Sequence, residues 1–359
     1  MTGRQRVLAA LARQPVDRLP VWMMRQAGRY LPGYQALRQK YSFMEMASSV
    51  DLSLEISVEP VQAVDVDAAI VFHDILIPFE LMGMRLDFIE GTGPVLEPAV
   101  RDAAGARRLV APPMDESLTV VETLRRLRAA VGDTRAVFGF AGAPLTLGIY
   151  AIEGRSSKTR EIFHRLLRTQ RALVRDVVNR LAPVVADYLV QQARHADVLQ
   201  IFESHADVLS AEDYADVAFP ALRDVVESVR ARCPGKPLIL FGNGVKSVYH
   251  LVRELAFDGY SIETSIALPD AAAQLTRQGV VPALQGNFDP TDLLLPAADV
   301  RRRTAEYLLA TAAGLGFPPG RGLPRGWIVN LGWGVMPPTD PASARAFVET
   351  VHAFTNAQP

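Results

Sequence analysis

The sequence predicts an α/β protein, and a (β/α)₈ barrel is the favoured architecture. Eight short apolar runs recur along the chain, and most are separated by longer stretches with the spacing of an amphipathic helix. The runs are nearly continuous in apolar residues, which is typical of parallel strands covered on both faces. The 359 residues are enough for one such barrel. An open, doubly wound sheet of the same elements is the alternative.

The elements follow one another in a regular order. The predicted strands are residues 19–24, 68–72, 135–140, 198–202, 237–241, 259–264, 282–285 and 327–331. Helical spacing of apolar residues is clearest at 45–62, 116–131, 211–232, 245–255 and 341–354. Residues 85–98 hold Gly91, Gly93 and Pro94 between two short alternating runs, so this stretch predicts a small hairpin inserted into the barrel.

Composition and charge exclude several classes of protein. Apolar residues make up 49% of the chain and charged residues 21%, which predicts a large core and little disorder. A formal net charge of −1 gives no basic excess for binding nucleic acid or an acidic membrane surface. No uncharged apolar run reaches the roughly 18 residues of a membrane span. Cys233 is the single cysteine, and no leader is predicted, so we expect a cytoplasmic protein without a disulfide.

Two arginines follow the first predicted strand. Active sites of such barrels lie at the carboxyl ends of the strands, so residues at these positions are candidates for function. Arg25 and Arg29 are four residues apart, which places them on one side of the segment. Two guanidinium groups at one spot suit a ligand with several carboxylates or phosphates. A pair of surface ion pairs is the alternative.

The other candidates also follow strands. Asp74 comes after the run 68–72, where a carboxylate in an apolar setting could stabilise a cation formed during a reaction. It could instead cap a helix. Tyr150 follows the third run and either lines the mouth of the barrel or packs inside it. Ser204 lies between Glu203 and His205, but adjacency along the chain does not make a catalytic triad.

Metal and nucleotide sites are not predicted. Six histidines are scattered without the spacing of metal ligands. No phosphate-binding loop or dinucleotide motif occurs between a predicted strand and a helix.

The motifs themselves resemble a known family. Residues 20–32 read PVWMMRQAGRYLP, which closely resembles the signature near the amino terminus of the uroporphyrinogen decarboxylase family. Further matches follow in order along essentially the whole chain, namely FHDILIP at 72–78, GFAGAP at 139–144, FESHA at 202–206, LQGN at 284–287 and NLG at 330–332.

This resemblance implies a fold and an activity. It implies a single, distorted (β/α)₈ barrel domain over residues 1–359 and a cytoplasmic homodimer. The implied activity is that of a carboxy-lyase of tetrapyrrole (heme) biosynthesis, which removes the acetate carboxyl groups of uroporphyrinogen III to give coproporphyrinogen III. No metal or organic cofactor is implied, and the partner is the tetrapyrrole substrate rather than nucleic acid or a membrane.

The resemblance also implies roles for particular residues. Asp74 matches the residue that stabilises the protonated pyrrole, and Arg25 matches an arginine assigned to catalysis. Five positions match residues that contact the substrate, namely Arg25, Arg29, Asp74, Tyr150 and Ser204.

Two places depart from the family pattern. Trp333 follows NLG where the family typically has histidine, and Glu263 begins the stretch ETSIA where the family typically has GLDW. These changes leave open a relative with an altered tetrapyrrole substrate or lost activity. A corrinoid- or thiol-dependent methyltransferase of the same superfamily is less favoured, because a single cysteine does not suit the zinc site that such enzymes carry.

Overall fold

The centre of the protein is a curled sheet of seven parallel strands. The computed structural model describes residues 1–89 and 91–356. The sheet has the order β1-β4-β5-β6-β7-β8-β9, so each strand pairs with the next barrel strand along the chain. Its strands are β1 (Ala68–Ile70), β4 (Ala136–Gly142), β5 (Val198–Glu203), β6 (Leu238–Gly242), β7 (Gly259–Ser261), β8 (Ala283–Gln285) and β9 (Trp327–Ile328). This arrangement confirms the predicted parallel α/β architecture.

The first predicted strand is the exception. Within residues 19–24, only Val21 forms a bridge, and its partner is Val329 beyond β9. On its other side the Val21 carbonyl accepts a hydrogen bond of 2.7 Å from the Asp67 N–H, just before β1. The segment therefore lies between β9 and β1 and occupies the eighth position of the ring without being a regular strand.

Side-chain amides explain why this segment is irregular. The Met23 N–H donates to Gln26 Oε1 at 3.0 Å, and the Met24 N–H donates to Asn330 Oδ1 at 2.9 Å. These N–H groups are therefore satisfied by side chains rather than by a neighbouring strand. The prediction of a strand over residues 19–24 was wrong for this reason.

Sixteen α-helices lie among the described residues. They are α1 (Gly3–Leu11), α2 (Pro32–Arg38), α3 (Phe43–Ser48), α4 (Val50–Val64), α5 (Ile77–Leu81), α6 (Ala103–Arg107), α7 (Thr119–Val131), α8 (Pro144–Glu153), α9 (Glu161–Thr169), α10 (Arg171–Gln192), α11 (Ala211–Val217), α12 (Phe219–Arg232), α13 (Tyr249–Val252), α14 (Leu268–Leu275), α15 (Ala297–Gly314) and α16 (Pro341–Ala353). Short 3₁₀ turns occur at Gly132–Thr134, Ala206–Val208, Val245–Val248 and Pro290–Leu294.

Two of the predicted helices are divided. The stretch 45–62 breaks at Ser49, an extended residue whose side chain accepts from the Leu52 N–H and caps α4. The stretch 211–232 breaks at Ala218, and Pro220 stands in the first turn of the new helix α12, where its missing N–H is tolerated. No helix in the described ranges is long and apolar enough to cross a membrane.

The predicted hairpin is present. Its strands are β2 (Arg85–Ile89) and β3 (Gly93–Glu97), paired antiparallel. The Leu96 N–H donates to the Gly154 carbonyl at 2.8 Å, so β3 contacts the loop that follows α8. On the other side the Phe88 ring lies 4.3 Å from the ring of Phe43 in α3. The hairpin therefore packs against the loop after α8 and stabilises it at the carboxyl end of the barrel.

A chain of polar side chains runs through the buried interior of the barrel. Trp22 Nε1 donates to Gln285 Oε1 at 2.9 Å. The amide nitrogen of Gln285 donates to Gln200 Oε1 and Ser261 Oγ, both at 3.0 Å. All four side chains are almost completely buried. The network links the 19–24 segment with β5, β7 and β8, and it fixes the position of these elements beneath the mouth.

The amino-terminal end of the barrel is closed by aspartates. Three aspartates precede β1, β5 and β7, and each accepts one hydrogen bond from a backbone N–H of a neighbouring segment and another from an arginine side chain. The donors are Val21 and Arg18 for Asp67, Val137 and Arg4 for Asp197, and Leu238 and Arg230 for Asp258. A shallow groove at this end is lined by Arg4, Asp197, Lys236 and Asp258. Arg4 and both aspartates already form ion pairs that stabilise the fold, so this groove is not a candidate ligand site.

Candidate active site

Arg25 is held in place by the turn after the 19–24 segment. Its backbone is left-handed, with φ of 60°. The side chain of Gln26 accepts from the Met23 N–H and donates to the Ala68 carbonyl at 2.9 Å, which ties the turn to β1. A Cβ atom at Gly334 would overlap the Cδ atom of Arg25, so the arginine side chain passes directly over this glycine. Arg25 therefore lies between the ends of β1 and β9.

Asp74 lies just beyond the carboxyl end of β1. Its Oδ1 accepts a hydrogen bond of 2.8 Å from the Leu76 N–H, in a turn that leads into α5. Burial raises the pKa of Asp74 to about 6, although the Leu76 hydrogen bond and the charge of Arg25 both act to lower it. The carboxyl group is thus mostly ionised at neutral pH and shares its surroundings with the guanidinium of Arg25.

Tyr150 lies where three charged side chains meet. It belongs to α8, which follows β4. Burial raises the pKa of Tyr150, the negative charge of Asp74 raises it further, and the positive charges of Arg25 and Arg160 oppose the rise. The phenol is therefore neutral and able to donate a hydrogen bond in the middle of the site.

Thr146 and Glu203 anchor the segment that carries Ser204. Thr146 is four residues before Tyr150 and so lies on the same face of α8. Its hydroxyl donates to Glu203 Oε1 at 2.6 Å and accepts from the Ser204 N–H at 2.9 Å. Burial raises the pKa of Glu203 to about 7, and the Thr146 hydrogen bond opposes this rise. Ser204 is thereby fixed at the end of β5, beside the Tyr150 helix.

His205 contacts an arginine that the sequence did not single out. Arg160 Nη2 lies 2.9 Å from His205 Nδ1, and the His205 ring is 5.6 Å from the ring of Tyr150. Burial lowers the pKa of His205 to about 4, and the charge of Arg160 lowers it further. Glu203 forms a hydrogen bond with Thr146, whereas His205 forms one with Arg160. The residues on either side of Ser204 therefore have different partners and do not form a catalytic triad with it. The only signal for Arg160 was its place in the loop after the Tyr150 helix.

Arg29 has a different environment from Arg25. Its carbonyl accepts from the side chain of Gln35 at 2.9 Å. Burial raises the pKa of Tyr34, and the charges of Arg29 and Arg38 oppose that rise. The two predicted carboxylate-binding arginines therefore act on different neighbours, Arg25 on the Asp74 carboxylate and Arg29 on the Tyr34 phenol.

A row of aromatic rings forms an apolar wall beside the charged groups. Phe140, Phe202 and Phe241 lie near the carboxyl ends of β4, β5 and β6, with successive ring centroids 5.5 and 5.6 Å apart. Trp333 continues the row 6.5 Å from Phe241, and 43% of its surface is exposed. Aromatic rings of this kind suit a large ligand with apolar faces.

The second departure from the family pattern lies next to the first. A Cβ atom at Gly332 would overlap Thr264, so the stretch after β7 touches the stretch that holds Trp333. The Glu263 carboxylate accepts from the Gly244 N–H at 3.0 Å, and its charge helps to raise the pKa of Tyr249. Glu263 therefore anchors the loop after β6.

The described residues offer no evident metal site. Across residues 1–89 and 91–356, no three histidine, cysteine, aspartate or glutamate side chains lie together as metal ligands. The groups at the carboxyl end are instead the carboxylate of Asp74, the guanidinium groups of Arg25 and Arg160, the phenol of Tyr150 and the row of aromatic rings. Such a set can bind a polyanionic ring and stabilise a positive charge that forms on it.

Comparison with known proteins identifies the family. The family model described as "Uroporphyrinogen decarboxylase (URO-D)" matches residues 2–354. A uroporphyrinogen decarboxylase of a Roseiflexus species is 41% identical over 98% of both chains. That of Myxococcus xanthus is 39% identical over 97% of this chain and 95% of its own. Among solved structures, a methyltransferase from Methanosarcina mazei has the same fold, with a TM-score of 0.77 at 18% identity over 98% of each chain.

Proposed function

The chain belongs to the uroporphyrinogen decarboxylase family, and we propose that its barrel mouth converts uroporphyrinogen III into coproporphyrinogen III with Asp74 and Arg25 as catalytic groups. The protein is a carboxy-lyase of tetrapyrrole biosynthesis. The observation that carries the assignment of residues is the placement of a half-buried carboxylate, Asp74, in the field of Arg25 at the carboxyl end of β1.

The reaction needs a sink for electrons. A proton adds to a carbon of the pyrrole ring and makes the ring cationic. The bond between the acetate methylene and its carboxylate then breaks, carbon dioxide leaves, and the electron pair enters the ring. A proton next adds to the exocyclic methylene to form a methyl group, and the ring proton is released. Each acetate thus consumes one proton and loses one carbon dioxide.

Asp74 stabilises the cationic ring in this scheme. One of its oxygens accepts from the Leu76 N–H, which leaves the other for the pyrrole N–H groups. A fixed negative charge in a site with little water stabilises a cation far more than it would in bulk solvent. The pKa of about 6 keeps the carboxyl group ionised at neutral pH.

The remaining groups bind and orient the substrate. Arg25 binds a substrate carboxylate, because a guanidinium donates to carboxylates well but releases its own proton poorly. Arg29 meets another carboxylate at the outer edge, and Tyr150 and Ser204 donate hydrogen bonds. The aromatic row from Phe140 to Trp333 packs against the tetrapyrrole ring.

Incubation without oxygen tests this proposal directly. The purified protein is mixed with uroporphyrinogen III in the presence of a metal chelator, and the products are oxidised and measured by mass spectrometry. We expect stepwise loss of carbon dioxide to coproporphyrinogen. Failure of the folded protein to change the substrate would overturn the assignment. Loss of activity in chelator, with recovery on adding zinc, would overturn the metal-independent reaction.

Family membership also supports a cytoplasmic homodimer that unfolds as one domain. Light scattering coupled to size exclusion would then give twice the chain mass of 39.2 kDa. Denaturant unfolding of the subunit would show one transition by both fluorescence and circular dichroism. A monomer, or two separated transitions, would contradict these expectations.

A further inference from the structure

We propose that Arg160, oriented by His205 and together with Tyr150, binds a substrate carboxylate that the reaction does not remove. This inference rests on the proposed function, since it names a specificity-determining arginine of the same site. The observations that carry it are the placement of Arg160, its hydrogen bonds and the charges around Tyr150.

The loop after α8 directs Arg160 towards the site. Arg160 has a left-handed backbone, with φ of 49°, and its N–H donates to Ser157 Oγ at 2.9 Å. The same loop is fastened to the hairpin, because the Ser156 N–H donates to the Pro94 carbonyl at 3.0 Å. The hydrogen bonds to Ser157 and to the hairpin therefore fix the loop that carries Arg160. From this position its guanidinium reaches His205 at the end of β5.

Arg160 forms no ion pair within the described residues, and its Nη1 makes only a long contact of 3.5 Å with the Lys158 carbonyl. It immediately precedes α9, but the cap of that helix comes from elsewhere, since Glu153 Oε1 accepts from the Phe163 N–H at 2.7 Å. Across the part of the chain that the structure describes, no carboxylate lies within 4.0 Å of the Arg160 guanidinium. Arg171 is a contrast, since it bonds both Asp213 and Asp216 at 2.7 Å.

The hydrogen bond to His205 sets the proton on the imidazole. A guanidinium only donates, so Nδ1 of His205 must accept from Arg160. With a pKa of about 4 the imidazole is neutral at physiological pH, and its single proton is therefore on Nε2. His205 therefore acts as an acceptor that orients Arg160, and its own Nε2–H points away from the arginine.

Hydrogen-bond donors that lack an acceptor therefore lie around Tyr150. Arg160 Nε is buried and has no acceptor among residues 1–89 and 91–356. A buried donor or cation without a partner is unfavourable, so it marks a position that an anionic acceptor would stabilise. The Tyr150 hydroxyl supplies a further donor. A planar carboxylate fits this set, because a guanidinium can hold both of its oxygens.

The carboxylate bound here should be one that stays on the ring. The leaving acetate loses its negative charge as carbon dioxide forms, so a cation held firmly against it would stabilise the ground state and slow the reaction. A carboxylate that keeps its charge gains equally in the ground state and in the transition state. Arg160 therefore contributes to substrate affinity and orientation rather than to the chemical step.

Porphyrin binding and steady-state kinetics test the role of Arg160. The variant is Arg160→Gln, which removes the charge and keeps a side chain that can donate to His205. Arg155→Gln is the matched control, since Arg155 is an exposed arginine of the same loop. The probes are uroporphyrin and coproporphyrin, which are oxidised forms of substrate and product. Their fluorescence on titration with protein gives Kd without any turnover.

We expect Arg160→Gln to weaken the binding of both porphyrins by about tenfold, as loss of a charged carboxylate contact implies. The KM for uroporphyrinogen should rise by a similar factor, and kcat should stay within about threefold of its original value. The Arg155→Gln control should change none of these quantities. Arg160→Lys should recover part of the affinity, since a lysine keeps the charge but not the planar donors.

Two results would overturn the inference. Unchanged Kd for both porphyrins in Arg160→Gln would show that no carboxylate is bound there. Weaker binding of uroporphyrin alone, with a fall in kcat, would show that Arg160 acts on a reacting acetate. Failure of the proposed function is distinguishable, because the unmodified protein would then leave uroporphyrinogen unchanged whatever the porphyrin Kd values are.

Discussion

Asp67 and Asp74 stand at opposite ends of the same strand, β1, and their environments contrast. Asp67 precedes the strand and is completely buried. It bonds both terminal nitrogens of Arg18, at 2.7 and 3.0 Å, and accepts from the Val21 N–H at 3.0 Å. Asp74 follows the strand, and among the described residues its carboxylate accepts only from the Leu76 N–H.

The two pKa values move in opposite directions as a result. Burial acts to raise the pKa of Asp67, but His352 and Arg18 outweigh it, so the net shift is downward. Burial dominates at Asp74 and raises its pKa to about 6. A lowered pKa means that the ionised group stabilises the fold, whereas a raised pKa means that ionisation destabilises it. One end of β1 therefore holds a structural carboxylate and the other a carboxylate whose charge is available to a ligand.

The contrast extends to the whole barrel. Arginines at the amino-terminal end are matched with aspartates, as Asp67, Asp197 and Asp258 show. At the carboxyl end the acids Asp74 and Glu203 both have raised pKa values, and burial is the main cause. Glu203 is completely buried against Thr146, so only the Asp74 charge is left to be satisfied by substrate, at some loss of stability.

Asp74→Asn should have the largest effect on activity. The amide oxygen can still accept from the Leu76 N–H, so the local turn should survive. The negative charge is lost, and we expect kcat to fall by about 10³-fold. The free energy of unfolding at pH 7 should be equal or higher, because a destabilising charge has been removed. Turnover close to that of the unmodified protein, in a folded variant, would show that Asp74 is only structural.

Asp67→Asn is the matched variant at the other end of β1 and should reverse this pattern. It leaves the guanidinium of Arg18 without its anion, and we expect a loss of about 3 kcal/mol in the free energy of unfolding. The kcat of the folded protein should be unchanged. The pKa of Asp67 is lowered, so its stabilisation is present above the ordinary aspartate pKa and is lost as the pH falls below it. Denaturant melts between pH 3 and pH 7 and kinetics at pH 7 measure both quantities. A stable variant with reduced kcat would remove the distinction between the two ends.

Glu203→Gln should reveal the same principle through pH dependence. The pKa of Glu203 is raised to about 7, so its ionisation lowers stability as the pH rises from the ordinary glutamate pKa towards 7. The variant cannot ionise, and we expect it to exceed the unmodified protein by about 1 to 2 kcal/mol at pH 8 and by little at pH 4. Urea unfolding at both pH values measures the difference. An equal effect at the two pH values would show that the change acts through packing and not through charge.

The sequence predicted those parts of the site that depend on position relative to a strand. Asp74 follows β1 and Ser204 follows β5, and the parallel strands bring both to one end of the barrel. The hairpin at β2 and β3 was predicted from its glycines and alternating pattern, and the structure confirms it. These inferences succeed because strand order and hydrophobic pattern fix where a residue lies.

Features that depend on the path of a loop could not be predicted. The contact between Arg160 and His205 requires the left-handed turn at Arg160 and the attachment of its loop to the hairpin. The irregular 19–24 segment likewise depends on the amides of Gln26 and Asn330, which replace the expected strand pairing. Such long-range hydrogen bonds leave no periodic signal in the sequence.

Substitutions at Trp333 and Glu263, the two places where the mouth departs from the family pattern, should have the smallest effects, and Trp333→His the larger of the two. The indole is 43% exposed and packs edge-on against Phe241, so its removal opens space beside the aromatic wall without disturbing the core. We expect a gain in kcat/KM for full conversion of no more than about fivefold, because an imidazole has two polar nitrogens where an indole has one, and it is smaller. Glu263→Gln should change nothing, because an amide oxygen also accepts from the Gly244 N–H. The product distribution of each variant, measured by mass spectrometry, separates the two positions. If Trp333→His lowers kcat/KM instead, the indole is itself part of the surface that binds the ring.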